Sequence, residues 1–426
     1  MKRYSEYKDS GVKWIGEIPG HWKTPKLNRV VSKVGSGSTP RGGSEVYIDE
    51  GIKFLRSQNI HFEGLNLDSV VYIPDSINEQ MKNTQVQPFD VLLNITGGSI
   101  GRCFYVDDTL GKANVNQHVC IIRPLSVNYR FLKYFLQSNS GQSQVWFYQK
   151  GDREGLSAES IKTFRLPLPP LPEQEAIVTY LDSKVAKIDE YISIAEKKIA
   201  ALEELKQTII AEAVTRGIHK DVPMKDSGVK WIGMIPEHWK VNKIRSHFKE
   251  RRVKVSDKDF QALSVAKIGI VPQLEDACKT DNGDNRKQVL KGDFVVNSRS
   301  DRKGSCGISP LDGSVSLINI VLRPFNILQE YVHYLFRSHN YIEEFYRNGR
   351  GIVADLWTTR YSEMRNIQIP VPPLSEQQEI VTYIEAKVAN INQLCQAERS
   401  QIEKLKEYKQ RLISDVVTGK LKVTND

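Results

Sequence analysis

The stretch that organises the chain is LPLPPLPEQEAIVTYLDSKVAKIDEYISIAEKKIAALEELKQTIIAEAVT, residues 166–215, and it returns as IPVPPLSEQQEIVTYIEAKVANINQLCQAERSQIEKLKEYKQRLISDVVT, residues 369–418. The two stretches align without a gap at an offset of 203 residues, and nearly half of their positions are identical. A duplication of this length predicts a chain built from two similar halves.

Each copy carries the signals of one long helix. Pro172 can occupy the first helical position of the first copy, and Ser375 with Gln378 forms a capping box in the second. Gly217 and Gly419 provide C-terminal stops. Between these signals apolar residues recur at spacings of three and four, which predicts a heptad seam along a rod of roughly 65 Å. We expect the two helices to pack on each other, and the alternative is that each packs on its own globular domain.

Composition places the chain among soluble proteins. Of 426 residues 40% are hydrophobic and 26% charged, with a net charge of +9. The N-terminal residues lack the apolar core of a signal peptide, and no apolar run is long enough for a membrane span. Five scattered cysteines without a C-x-x-C pair indicate a reducing compartment. We therefore expect a cytoplasmic protein. Its basic excess lies outside the helical stretches and favours an anionic partner such as nucleic acid.

A second repeat, called here the marker segment, precedes each globular part. It reads KDSGVKWIGEIPGHWK at residues 8–23 and KDSGVKWIGMIPEHWK at residues 225–240. Its tryptophans could stack on the bases of single-stranded nucleic acid while its lysines contact the backbone. Near-identity in both halves favours a structural clasp that docks each domain against the end of the rod.

The two variable parts share an apolar frame and differ in their loops. Strands are predicted over residues 89–94 and 119–123, and a helix over residues 129–137, with counterparts about 200 residues later. The loop TGGSIGR, residues 96–102, has no likeness to SRSDRKG, residues 298–304. Residues 35–60 and 249–271 do not align at all. One scaffold with two loop sets suits a protein that recognises two different targets.

Motifs for catalysis are missing from the sequence. It has no G-x-x-x-x-G-K-[ST], no N-P-P-[YF]-type motif of a DNA amino-methyltransferase and no histidine spacing typical of a metal site. Residues 152–154 and 301–303 combine acids and bases, but charged loops are common and we interpret them so. We expect neither a catalytic residue nor a metal site.

With this domain order, the chain resembles the specificity subunit of Type I restriction–modification systems. The resemblance rests on residues 167–175 and 370–379, on GSTP at 37–40, on GLS at 155–157 and on the marker segments, and it covers essentially the whole chain. It implies a mixed α/β fold, with two α/β target-recognition domains in pseudo-twofold symmetry, separated by two long helices that form an antiparallel coiled coil. The short connection after Gly217 also favours antiparallel pairing. The implied division is recognition domain 1 at 1–165, a first conserved helix at 166–217, recognition domain 2 at 218–368 and a second conserved helix at 369–426.

The family's function sets further expectations. Each recognition domain would read one half of an asymmetric bipartite site in double-stranded DNA. Two methylation subunits would bind S-adenosylmethionine, and restriction subunits would use ATP and Mg, so this chain would hold no cofactor and catalyse neither reaction. Two alternatives stay open: a stand-alone restriction or methylation enzyme with an unrecognised active site, and a coiled-coil scaffold with no role on DNA.

Candidate functional residues follow from these expectations. DNA contacts are predicted from basic, amide and hydroxyl side chains, which bind phosphates and base edges. The candidates are Thr39, Arg41, Arg56, Gln58, Asn59, Thr96, Arg102 and Arg153 in the first domain, and Arg251, Arg252, Lys254, Arg299, Arg302, Lys303 and Arg350 in the second. Apolar helix positions off the seam, predicted to dock the methylation subunits or to pack on the adjacent domain, are Ile177, Tyr180, Leu181, Ile380, Tyr383 and Ile384.

Overall fold

The chain forms two compact units. The structure is a computed structural model that describes residues 3–149, 155–273, 283–351 and 357–423. Unit 1 comprises residues 1–195 and 400–426, and unit 2 comprises residues 196–399. Each unit therefore combines one variable part with segments of both long helices.

Unit 1 contains short strands and helices in an α/β arrangement. Its strands are β1 (Tyr7–Asp9), β2 (Glu17–Pro19), β3 (Val31–Ser36), β4 (Ile52–Leu55), β5 (Val71–Ile73), β6 (Gln85–Val86), β7 (Val91–Asn94), β8 (Cys103–Tyr105), β9 (Ala113–Val115) and β10 (Val119–Pro124). Its helices are α1 (Asp75–Gln80), α2 (Tyr129–Gln137), α3 (Asn139–Tyr148), α4 (Ala158–Lys162) and the first part of α5 (Leu171–Arg216).

Two four-stranded sheets form the frame of unit 1. One is antiparallel in the order β3-β10-β7-β8, and the other has the order β5-β4-β9-β6 with β4 and β9 parallel. The strands predicted over 89–94 and 119–123 are present as 91–94 and 119–124, and the helix predicted over 129–137 has those bounds. Asn128 caps α2 by accepting from the backbone N–H groups of Arg130 and Phe131, so the helix begins where the sequence predicts. Its buried face, with Phe131 and Phe135, packs in the main core of the unit.

Unit 2 repeats these elements. Its strands are β11 (Met224–Asp226), β12 (Met234–Pro236), β13 (Lys240–Lys243), β14 (Phe248–Glu250), β15 (Lys254–Val255), β16 (Leu263–Ala266), β17 (Gly269–Pro272), β18 (Arg286–Val289), β19 (Phe294–Asn297), β20 (Cys306–Ile308), β21 (Gly313–Val315), β22 (Asn319–Pro324) and β23 (Gln368–Val371). Its helices are the second part of α5 (from Glu196 onward), α6 (Gln329–Arg337), α7 (His339–Arg347), α8 (Tyr361–Met364) and the part of α9 (Leu374–Val417) that precedes Ser400.

The frame of unit 2 matches that of unit 1 where the sequences do not align. The sheet β14-β22-β19-β20 corresponds to β3-β10-β7-β8. A parallel bridge from Ala262 to Ser314 stands where β4 pairs with β9, and β18 pairs with β21 as β6 pairs with β9. The hairpin of β16 and β17 takes the place of β4 and β5. The two variable parts therefore share a fold that only their later strands reveal in the sequence.

The long helices run antiparallel within each unit. In unit 1, Lys409 of α9 forms an ion pair with Asp189 of α5 at 2.7 Å. In unit 2, Lys198 pairs with Glu398 at 2.5 Å and Lys206 donates to Asn392 at 3.3 Å, so residue numbers fall along α9 as they rise along α5. The predicted seam is buried at Ile188, Ala195, Ala213, Ile391, Cys395, Ile402, Leu412 and Val416. Among the described helices, none combines the length and apolarity that a membrane span requires.

The marker segments hold the helix ends in place. In unit 1, the carboxylate of Glu173 on α5 accepts hydrogen bonds from the Tyr4 hydroxyl at 2.5 Å and from Trp22 Nε1 at 3.1 Å, and it contacts His21 at 2.9 Å. In unit 2, the equivalent Glu376 lies 2.7 Å from His238. The clasp predicted for these segments is thus formed in both units.

The same markers receive the C-terminal ends of the helices. Gly419 follows α9 with a φ of +74° and lies against Pro19 and Trp22 of unit 1, while Gly217 follows α5 and lies against Pro236 and Trp239 of unit 2. The left-handed φ and the close approach both favour glycine.

Candidate nucleic-acid interface

Several loop ends meet at one edge of the unit 1 frame. β3 and β7 both end opposite the first residues of β10, and β4 ends beside the end of β9 in the parallel pair. Residues 116–118 connect β9 directly to β10. The first rim is defined as residues 37–41, 56–59, 94–102 and 116–118.

A chain of side-chain hydrogen bonds crosses the first rim. The Thr39 hydroxyl donates to Gln117 Oε1 at 2.6 Å, Gln117 Nε2 lies 2.9 Å from His118 Nε2, and His118 Nδ1 lies 2.6 Å from Thr96 Oγ1. An amide nitrogen only donates, so the His118 Nε2 accepts and its Nδ1–H donates to Thr96. Two residues predicted from the sequence, Thr39 and Thr96, are thus joined through two that the sequence analysis missed.

Gly37 allows the first rim to close. A Cβ at this position would lie 2.2 Å from the carbonyl oxygens of both Val115 and Asn116. Only glycine tolerates this approach, because any side chain would displace the backbone after β9. The Gly37 N–H also donates to the Val119 carbonyl at 2.8 Å. The GSTP block therefore fixes Thr39 next to Gln117.

A second corner of the first rim contains Arg56 and Gln58. Arg56 donates to the Ser69 carbonyl at 3.0 Å and Gln58 lies 3.4 Å from the Ser69 hydroxyl. Asn59 is fully buried, where its side chain accepts from the Arg56 N–H and donates to the Asn66 carbonyl. The prediction that Asn59 contacts DNA is therefore corrected, because its amide is used to shape this turn.

The remaining candidates of the first domain lie on rim loops or outside the described residues. Arg41 follows the GSTP block and is exposed, and Arg102 is half-buried at the end of the loop after β7. Arg153 falls outside the described residues.

Unit 2 forms a second rim at the equivalent edge, defined as residues 297–303, 316–319, 357–358 and Arg350. Arg299 follows β19 and forms a backbone bridge with Thr358, as does Arg350. The corresponding bridge in unit 1 joins Thr96 to Gly155. The Arg299 side chain pairs with Asp301 at 3.0 Å, and Lys303 pairs with Glu343 at 3.2 Å, while Arg302 is largely exposed. Both rims therefore carry basic side chains, and they differ in the other residues around these cations.

Arg252 and Lys254 lie beside the second rim. Lys254 pairs with Lys287 across β15 and β18, and Lys287 Nζ donates to the Asn319 carbonyl at 2.7 Å. The Glu250 carboxylate links Arg252 to Lys287: one oxygen lies 2.6 Å from Arg252 Nε, and the other lies 3.7 Å from Lys287 Nζ. Burial lowers the pKa of Lys287. Lys287 is a further cation that the sequence analysis missed.

Arg251 has a structural role instead of the predicted contact with DNA. Its guanidinium pairs with the buried carboxylate of Asp293 through two hydrogen bonds of 2.6 and 3.1 Å, at the end of β19 away from the rim. In unit 1, Arg123 makes the same bidentate contact with buried Asp90. The prediction for Arg251 is corrected, because a buried carboxylate needs this partner.

Four of the six predicted docking residues belong to the cores. Ile177, Leu181, Ile380 and Ile384 are fully buried within their own units, so the alternative of packing on the adjacent domain holds for them. Tyr180 is half-buried and Tyr383 is 37% exposed. Lys184 Nζ lies 5.8 Å from the Tyr180 ring and Lys387 Nζ lies 5.6 Å from the Tyr383 ring. The same tyrosine–lysine pair thus occurs on both helices.

Gln117 and His118, the rim residues that the sequence analysis missed, could have been found from their place in the turn before a buried strand. Gln117 and His118 stand at this position in unit 1, and Leu317 and Ile318 stand there in unit 2, where they are 40% and 38% exposed. The turns are equivalent, since both carbonyls accept from residues at matching positions. The His118 carbonyl accepts from the Ile95 N–H, and the Ile318 carbonyl accepts from the Ser298 hydroxyl. Exposed side chains just before a strand that both units share could have marked this edge of the frame.

The cysteine thiols of the two cores are not poised for chemistry. Burial raises the pKa of the Cys103, Cys120 and Cys306 thiols to about 12. A thiol with this pKa carries almost no thiolate at neutral pH and is a poor nucleophile. Within the described ranges, no group of three or more histidine, cysteine or acidic side chains is arranged to hold a metal ion.

Each unit thus combines an α/β frame, a polar rim and an antiparallel pair of long helices. The family model described as Type I restriction modification DNA specificity domain matches residues 19–204 and 240–404, and the chain belongs to this family.

Relatives cover nearly the whole chain at low identity. The putative type I restriction enzyme MjaX specificity subunit of Methanocaldococcus jannaschii is 24% identical over 98% of both chains. The type I restriction enzyme StySPI specificity subunit of Salmonella potsdam is 19% identical over 95% of this chain and 90% of its own.

Solved structures share the fold. One, from work on complex assembly and conformational transition of the type I R-M system, has a TM-score of 0.68 at 15% identity and covers 95% of this chain and 99% of its own. The HsdS subunit from Thermoanaerobacter tengcongensis has a TM-score of 0.53 at 17% identity and covers 95% and 98%.

Proposed function

We propose that the chain is the sequence-specific DNA-binding subunit of a Type I restriction–modification complex, and that it reads an asymmetric bipartite target with one unit per half-site. One observation carries the proposal: the two rims occupy the same place in the same frame and present unlike side chains. In this proposal residues 1–165 and 218–368 are the recognition domains, and residues 166–217 and 369–426 are the helical spacers.

The charges of the rims support binding to DNA. Arginines and lysines such as Arg41, Arg299 and Arg302 would contact phosphates and fix the register of the protein on the duplex. Affinity should then fall steeply with salt, because each neutralised phosphate releases counterions. Sequence would be read by the rim side chains that reach base edges.

The test is methylome sequencing of a host that expresses the chain together with its cognate methylation subunits. We expect adenine methylation at one bipartite motif with two unlike halves, and no such motif in a host without the chain. Methylation that ignores sequence, or a palindromic motif, would contradict the proposal.

We also propose that two methylation subunits dock on equivalent surfaces near Tyr180 and Tyr383. The identical tyrosine–lysine pairs support two copies of one partner, since a repeated surface binds the same protein twice. Next to Tyr383 an apolar groove is lined by Ile218, Thr382 and Ala386. Tyr180→Glu and Tyr383→Glu should each remove one copy, and the double variant should remove both.

The copies are counted by copurification and native mass spectrometry. Tyr191→Glu is the matched control, because Tyr191 is 61% exposed on the same helix as Tyr180. A double variant that retained two subunits would contradict this docking site.

Catalysis is assigned to the partners. In this proposal the methylation subunits hold S-adenosylmethionine and the restriction subunits hold ATP and Mg. The purified chain should bind its target but transfer no methyl group from labelled S-adenosylmethionine to DNA. Methylation by the chain alone would favour the stand-alone enzyme instead.

A further inference from the structure

The hydrogen-bond chain of the first rim leaves Gln117 with a defined pair of free positions. A glutamine amide has two N–H groups and two oxygen lone pairs. Thr39 occupies one lone pair, and His118 occupies one N–H. One donor and one acceptor remain on an exposed side chain.

The donor and acceptor roles in this series of hydrogen bonds are set by the chemistry of the groups at both ends. The Thr39 hydroxyl must donate to the amide oxygen, and the His118 Nε2 must accept from the amide nitrogen. The His118 Nδ1–H is in turn held by Thr96, whose backbone is anchored in a bridge with Gly155. Gln117 is thereby held in one orientation before any ligand binds, which reduces the entropy lost on binding.

One donor beside one acceptor matches adenine in the major groove. Adenine presents the N7 acceptor next to the N6 amino donor, and glutamine pairs with both. Guanine presents two acceptors, cytosine presents one donor, and thymine presents one acceptor beside a methyl group. Among single bases, adenine alone therefore satisfies both free positions of Gln117.

We propose that Gln117 reads one adenine of the half-site bound by unit 1, and that Thr39, His118 and Thr96 are positioning residues that orient it. The proposal rests on the DNA-reading function proposed above and assigns a base to one side chain. Unit 2 lacks this reader, because Leu317 and Ile318 occupy the equivalent turn.

The experiment uses the complex of the full chain with its methylation subunits. Duplexes carry the methylome-defined target with each base of the first half-site varied in turn, and relative Kd values are measured by competition. The wild type should prefer adenine at one position by about 5- to 150-fold, the range that corresponds to a good bidentate contact. Gln117→Ala should reduce this preference to below about threefold and leave the other half-site unchanged.

Two further variants sharpen the result. Gln117→Glu offers only acceptors and should move the preference at the same position to cytosine, whose N4 amino group donates. Gln80→Ala replaces an exposed glutamine at the end of α1 and should change nothing. His118→Phe removes the acceptor that orients Gln117 and should weaken the adenine preference without creating a new one.

The outcomes separate this inference from the proposed function. A wild-type complex without any half-site preference would overturn both. A wild-type complex with a defined half-site, together with a Gln117→Ala complex that keeps every adenine preference within twofold, would overturn only the assignment of Gln117.

Discussion

The two rims differ where the two frames agree. At the turn before β10, unit 1 has Gln117 and His118 in a hydrogen-bonded chain, and at the turn before β22, unit 2 has the exposed Leu317 and Ile318. The strands on either side align in both position and pairing. If the rims bind the target as proposed, the frame fixes where a target is contacted, while the rim residues decide which target it is.

Exchange of the variable part of one unit gives the largest test of this comparison. Replacement of residues 24–165 by the equivalent domain of a relative should change one half-site completely and leave the other intact, because each rim belongs to one unit. Specific sites bind roughly 10³-fold or more tighter than unrelated DNA, so the original motif should disappear from the methylome. A swap that altered both halves would show that the units do not read separately.

Loss of the arginine that pairs with a buried aspartate should strongly lower stability. Loss of the arginine at the equivalent sequence position, which makes no such pair, should not. Arg323 is the sequence equivalent of Arg123, but Arg251 pairs with Asp293. Arg251→Met should cost about 3 to 5 kcal/mol in the free energy of unfolding, since it leaves a buried carboxylate unpaired. Arg323→Met should cost less than about 0.5 kcal/mol, because Arg323 is exposed.

Hydrogen exchange of the unit 2 core measures both variants. Arg123→Met serves as the control in unit 1 and should behave like Arg251→Met. Equal losses of stability in Arg251→Met and Arg323→Met would contradict the assignment of Arg251 as the partner of Asp293.

The glycines after the long helices should differ in tolerance. A Cβ on Gly419 would lie 2.3 Å from Pro19 Cδ, whereas a Cβ on Gly217 would lie 3.2 Å from the Trp239 ring. Gly217→Ala should cost about 1 kcal/mol for the left-handed backbone. Gly419→Ala should cost about 3 kcal/mol, because the marker must also shift.

Urea unfolding followed through the unit cores measures the difference. Gly11→Ala is the control for backbone conformation alone, since its φ is +68° and no atom lies within 4 Å of the added Cβ. Similar losses at positions 419 and 217 would mean that the two clasps are packed alike.

The smallest expected difference is in pH dependence. Lys133 on α2 and His333 on α6 are equivalent, and burial lowers their pKa values to about 8 and about 4. At a pH between its folded pKa and its ordinary pKa, each group binds fewer protons in the folded protein than in the unfolded chain. Unit 2 should therefore lose stability as the pH falls from about 6.5 to about 4, by on the order of 2 kcal/mol. Unit 1 should gain stability as the pH rises from about 8 to about 10.5.

Thermal melting and hydrogen exchange over both pH ranges check these effects. His333→Gln should flatten the acid loss in unit 2, and Lys133→Met should flatten the alkaline gain in unit 1. His339→Gln alters an exposed histidine and should leave the acid profile unchanged. An acid loss that persisted in His333→Gln would assign it to other groups.

The repeat, the long helices and the later strands of the frame could be predicted from the sequence. Proline, acidic residues and glycine mark the ends of the long helices, and these signals act locally. The helices α5 (Leu171–Arg216) and α9 (Leu374–Val417) begin and end within two residues of Pro172, Ser375, Gly217 and Gly419, although the predicted divisions at 166–217 and 369–426 are longer than the helices. The shared strands at 91–94 and 294–297 and the helix at 129–137 were readable because buried runs and amphipathic periods are patterns of single segments. The resemblance to specificity subunits was confirmed by the family match.

Tertiary structure alone decided which polar side chains serve the frame and which remain on the rims. Asn59 and Arg251 have the residue types of DNA readers, yet one shapes a turn and the other neutralises a buried carboxylate. Thr39, Thr96 and Gln117 come from distant segments and meet only because β3, β7 and β10 end at one edge. Spacing along the chain carries no information on such meetings, because strand pairing and burial set them through contacts between residues far apart in sequence.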